Sequence, residues 1–122
     1  MRSSDPISSI VDTHIVSVEV TAKAQTALKL LNESNLIVLP VVDDGRLVGI
    51  VRAEKLKNAD LVSSVMEKPL FLERERSIDY AIKYLLKHGM GRVPAVDSSI
   101  GMQCIGTISS TALLNAKKSG KK

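Results

Sequence analysis

Apolar positions along this chain follow two periods, and the alternation between those periods recurs. His14 to Val20 places apolar Val16, Val18 and Val20 between polar Ser17 and Glu19, the two-residue period of a strand with one buried face. Ala24, Ala27, Leu28 and Leu31 then fall on one helical face, a helix that Thr21 is suited to cap and Asn32 to Asn35 to end. Two apolar runs follow, Leu36 to Val42 and Leu47 to Val51, on either side of Asp43-Asp44-Gly45-Arg46. Asp-Gly in that setting predicts a hairpin, because a tight primed turn needs positive φ at its centre. Gly49-Ile50-Val51 leads into the polar, helix-favouring stretch Arg52 to Leu56. The predicted order is strand, helix, strand, strand, short helix.

The same order returns further along. Leu61 to Met66 resembles Ile7 to Asp12, each read as a short helical lead-in, and Pro69-Leu70-Phe71-Leu72 stands where the first strand stood. Ser77 is placed to cap a helix with Ile78, Ala81, Ile82 and Leu85 on its buried face, and Gly89 holds the C-terminal stop position,. Gly91 to Asp97 and Gln103 to Ile108 read as paired strands, with Ser109 or Ser110 capping a last helix through Ala116. Adding 54 carries Ala27 to Ala81, Leu31 to Leu85, Pro40 to Pro94 and Asp43 to Asp97. Only the second hairpin is longer, by three residues at its tip, where an exposed loop tolerates insertion. The expected organisation is a lead-in over 1–6, a first repeat over 7–59, a second over 60–116, and a basic flexible tail over 117–122.

Charge changes this picture little. The formal net charge is +4, but Lys117, Lys118, Lys121 and Lys122 crowd the C-terminus. Without those four, the 17 basic residues fall to 13, equal to the 13 acidic ones. Only one Phe, two Tyr and no Trp are present, so stacking platforms for bases are scarce. A solubilising tail is favoured over nucleic-acid binding. No apolar run approaches the ~20 residues that span a bilayer. Cys104 is the single cysteine and lies in a predicted strand, which fits a buried thiol and a reducing, cytoplasmic setting. His14 and His88 lack ligand partners at metal spacing, Ser109 and Ser110 lack a nearby base, and Asp43-Asp44 is a turn pair. No catalytic or metal-binding constellation emerges, and no resident cofactor is expected.

With LPVVDDGRLVGIV, its counterparts GRVPAVD and CIGTISS, and the strand–helix segments before each in register, the chain resembles a stand-alone tandem pair of cystathionine β-synthase (CBS) domains, a Bateman module. The resemblance runs from Ile7 to Ala116. It implies an α/β (α+β) fold of two βαββα units packed with pseudo-twofold symmetry and commonly paired as a homodimer. It also implies a non-catalytic regulatory role, with an adenosyl ligand such as AMP, ADP, ATP or S-adenosylmethionine in a cleft between the repeats. Carried over by position, His14, Val16, Leu36, Ile37 and Val38 would meet the base, and Arg92, Thr107, Ser109 and Thr111 the ribose and phosphate. A second cleft would use Met90, Arg52 and Lys55, with Val38 at the arginine position. The family's ribose-binding aspartate corresponds to Lys55 and Ala112, neither of which accepts such bonds. The competing reading is therefore a ligand-free dimerisation or protein-interaction module that regulates a partner protein. Nucleic-acid binding through the tail is the least favoured.

Overall fold

The structure, a computed structural model, describes residues 2–119. The elements run in the predicted order twice. The first repeat contains β1 (Val18–Glu19), α1 (Ala24–Ser34), β2 (Val38–Asp43), β3 (Arg46–Arg52) and α2 (Ala53–Leu56). After α3 (Val62–Val65), the second contains β4 (Leu72–Glu73), α4 (Ile78–His88), β5 (Arg92–Val96), β6 (Cys104–Ser109) and α5 (Ser110–Ser119). A 3-10 turn, Ile7–Ile10, precedes β1 as α3 precedes β4. The sheets have strand orders β1-β2-β3 and β4-β5-β6. The duplication extends to hydrogen-bond register. Val18 pairs with Val41 and Leu72 with Ala95, in parallel in both sheets, and both members of the second pair lie 54 residues beyond the first.

Local signals act mostly where expected. Asp44 (φ 52°) and Gly45 (φ 81°) form the positive-φ centre of the first hairpin. Asn35 and Gly89 end α1 and α4 in the left-handed conformation, and the Ser77 hydroxyl accepts the Tyr80 N–H at 3.0 Å. Two expectations are corrected. The first strand is only Val18–Glu19, because β2 pairs with it at just two positions. Lys23, not Thr21, stands at the start of α1, and no side-chain cap bond is made there.

The chain divides into two compact units, each drawn from separate stretches. Among the described residues, one comprises 16–70 and 102–104; the other comprises 2–15, 71–101 and 105–119. In the first, the apolar face of α1 (Ala24, Ala27 and Leu31) packs with Leu39, Val41 and Val51 of the sheet and with Leu56 and Val62. In the second, α4 packs on α5, and Ile78, Ala81, Val93, Ile108 and Leu113 are fully buried. Cys104 is buried and outside any disulfide.

The outer edge of each hairpin is covered by backbone. Glu67 exchanges two bonds with Ile50 (2.8 and 3.1 Å), and Asp12 exchanges two with Thr107 (2.8 and 2.9 Å). Covering an edge in this way removes a template for unwanted strand pairing. It also explains how β2 tolerates Pro40 in the middle of its sheet. Pro40 stands opposite Ile50, whose amide and carbonyl face Glu67, so no bond between β2 and β3 is lost to the missing N–H.

The expected tail is corrected at its start. Residues 117–119 continue α5, and Lys117 Nζ lies 3.3 Å from Asp79 Oδ1 on α4; Lys121 and Lys122 lie outside the described residues. Hydrogen bonds from Lys83 and then Lys117 hold the Asp79 carboxyl below the ordinary carboxylate range. A depressed folded-state pKa contributes stability above the unfolded-state pKa, and that contribution is lost as pH falls through the folded value. Asp79→Asn should therefore lower the melting temperature slightly at pH 7, and by less at a pH well below the ordinary carboxylate range. Equal shifts at both pH values would refute the pairing.

Candidate functional site

β5 begins at Arg92 and β6 carries Thr107 beside it. Arg92 Nη1 donates to Thr107 Oγ1 at 2.8 Å. Thr107 is the one buried polar residue among those described, at 8% exposure, so this bond satisfies a hydroxyl that burial would otherwise leave costly. Arg92 itself stays exposed, its guanidinium aimed across the sheet end. The Asp12 carboxylate approaches the same Nη1 at 3.8 Å, while its other oxygen accepts the His14 N–H at 2.9 Å.

The start of α5 lies against the same strand end. Ser110 N–H donates to the carbonyl of Gly91, the residue before Arg92, at 2.9 Å. Ser109 Oγ accepts the Ala112 N–H at 3.1 Å, so Ser109 is the N-cap and retains its hydroxyl proton as a donor. Thr111 is exposed in the first turn. A fixed guanidinium, two hydroxyls and the positive end of a ten-residue helix thus meet within one unit. Such an arrangement suits an anion.

The equivalent turn in the other unit is built differently. Arg52 ends β3, and its Nε lies 3.0 Å from Glu67 Oε2. It stands before α2 with no side-chain cap bond, and α2 has only four residues. Lys55 is exposed on α2, and Val38 opens β2. Of the residues expected to meet the base, Val16 and Leu36 pack partly buried against this unit's core, while Ile37 is 78% exposed. His14 falls in the unit that holds Arg92, Thr107, Ser109 and Thr111. Met90 lies in that unit too, in an apolar groove of about 420 Å³ lined also by Leu85, Leu86, Gly89 and Leu114.

Sequence reasoning missed Asp12 and Glu67. Both precede a first strand, but the 54-residue offset aligns Asp12 with Met66, one position early. Only the pairing with Thr107 and Ile50, each following a glycine of the last strand, makes the two acids equivalent.

A family profile described as CBS domain matches residues 7–61 and 62–119. The chain is 33% identical over 111 residues to inosine-5'-monophosphate dehydrogenase of Thermoplasma acidophilum, covering 88% of this chain and 22% of that protein. It is similar in structure to CBSX2 of Arabidopsis thaliana, solved in complex with AMP, at a TM-score of 0.82 and 24% identity over 97% of this chain and 99% of that one. It is similar also to the CBS domain pair of protein MJ0100, in complex with 5-methylthioadenosine and S-adenosyl-L-methionine. There the TM-score is 0.77 and the identity 20%, over 95% of this chain and 98% of that one. Among the described residues no helix is long and apolar enough to cross a membrane.

Proposed function

The chain belongs to the CBS domain family, and from that premise we propose that this regulatory pair senses an adenosyl ligand whose phosphate is held at Arg92. The observation that carries the reading is the convergence of Arg92, Thr107 and Ser109 on the start of α5, with Ser110 bonded to Gly91 at 2.9 Å. Helix-end amides and a forked cation together complement a phosphate. The AMP carried by a relative of the same fold supports the ligand class. S-adenosylmethionine, which has no phosphate, offers Arg92 only a single carboxylate, so the phosphorylated ligands are favoured. Arg92 offers no acceptor for ribose hydroxyls, and Ala112 stands at the family's aspartate position, so affinity should be modest.

A thermal-shift screen of AMP, ADP, ATP and S-adenosylmethionine tests the reading, since a ligand selective for the folded state raises its apparent stability. AMP or a more phosphorylated nucleotide should raise the melting temperature in proportion to the logarithm of its concentration. No shift from any adenosyl compound at millimolar concentration would leave the competing interaction-module reading.

Self-association belongs to the same proposal. Leu86 and Leu114, 77% and 56% exposed, rim the groove on α4 and α5, an apolar face suited to a second copy. Light scattering should give a dimer mass, and Leu86→Glu with Leu114→Glu a monomer. A monomeric mass for the unaltered chain at high concentration would remove self-association.

A further inference from the structure

Each unit carries a carboxylate aimed at the cation on which an anion would have to land. Asp12 and Glu67 occupy equivalent places, each locked by two backbone bonds to the residue after the glycine of the last strand. That lock fixes where the side chain emerges. The two ion pairs nevertheless differ. Glu67 Oε2 lies 3.0 Å from Arg52 Nε in a hydrogen-bonded contact, whereas Asp12 Oδ2 stands 3.8 Å from Arg92 Nη1, one of whose two protons goes to Thr107,.

We propose that Asp12 and Glu67 are built-in counter-ions that compete with a ligand's phosphate, Glu67 closing Arg52 to anions and Asp12 only restraining Arg92. The inference rests on the reading of Arg92 as the phosphate site and adds what decides which arginine accepts the anion. A hydrogen-bonded carboxylate fixed by its own backbone competes at a high local concentration, which a dissolved phosphate must overcome. A carboxylate beyond hydrogen-bond distance leaves the guanidinium's donors available and acts mainly through charge. Repulsion from that charge grows with each negative charge on the ligand, so Asp12 also disfavours the more highly charged phosphates.

The test follows arginine Nε–H signals by NMR in the full chain during titration with inorganic phosphate at constant ionic strength. Assignments come from Arg52→Lys and Arg92→Lys. In the unaltered protein phosphate should move the Arg92 signal and leave that of Arg52 in place. Glu67→Gln should make Arg52 respond, and Asp12→Asn should tighten binding at Arg92 by about two- to fivefold, the range of exposed ion pairs. Both replacements preserve size and backbone bonding, and the amide spectrum of each reports whether the fold is kept.

Equal response of Arg52 with and without Glu67, unchanged affinity on Asp12→Asn, or no response from either arginine in any variant would each overturn the proposal. Repeating the titration with AMP separates it from the reading beneath it. If AMP binds no tighter than phosphate while the variants behave as stated, the counter-ions stand and the adenosyl reading falls. If AMP binds tightly and is indifferent to both replacements, the reverse holds.

Discussion

Gly106→Ala should destabilise the protein by about 3 kcal/mol or more, lowering the melting temperature by roughly 10 °C. A Cβ at Gly106 would be driven onto the Asp12 carbonyl oxygen, with the Asp12 carbonyl carbon at 2.9 Å and Val11 Cγ1 at 2.6 Å. The obstacle is backbone, which cannot swing aside as a side-chain tip can. Relief requires Asp12 to retreat, and that breaks both of its bonds to Thr107. Each such bond contributes about 0.5–1.5 kcal/mol net, and the buried groups they leave unpaired add to the cost. The φ of 155° at Gly106 is a further reason a side chain fits poorly. Gly91→Ala is the control, since a Cβ there would meet nothing within 4 Å, and its effect should stay within about 0.5 kcal/mol. Urea unfolding of both variants checks the claim; comparable stabilities would mean that the edge segment yields easily.

The second large effect concerns binding. Arg92→Ala should weaken a phosphorylated adenosyl ligand by about ten- to a hundredfold, the equivalent of ~1.5–3 kcal/mol for a charge-assisted hydrogen bond. Two losses combine at this position: the forked positive donor goes, and the buried Thr107 hydroxyl loses its partner. Arg92→Lys should recover part of the affinity through charge alone. Arg52→Ala should do much less, because Arg52 is bonded to Glu67 at 3.0 Å. Calorimetry on the three variants reads the contrast. A greater loss at Arg52 than at Arg92 would place the ligand in the other unit.

Both expectations depend on contacts that hydropathy patterns do not reveal. Asp12 and Thr107 lie far apart in sequence, and nothing in the periodicity around either says that they exchange two hydrogen bonds. A glycine in a strand signals close approach of something; what approaches Gly106 is decided by where the chain segment before β1 settles. The same limit applied to the tail, where four lysines suggested a solvated end. Helix α5 in fact reaches Ser119, with Lys117 seated against Asp79 on α4.

What the sequence determined by itself was local and repetitive. The Asp44-Gly45 turn, the Ser77 cap and the Gly89 stop are set by φ preferences and by side chains a few residues away, so they are legible without knowledge of the rest of the molecule. The duplication was equally legible, because a repeated core needs repeated apolar positions; the 54-residue offset reappears intact in strand register. Tertiary structure alone decided the short length of β1, which depends on what β2 can pair, and the division into compact units that cuts across the repeats. It also decided how closely each arginine is held by a carboxylate. Arg52 and Arg92 carry the same charge in the sequence. What sets their surroundings apart is non-local: Arg52 lies 3.0 Å from Glu67, whereas Arg92 donates to Thr107 and stands 3.8 Å from Asp12, because side-chain geometry is set by packing that no single stretch of chain encodes.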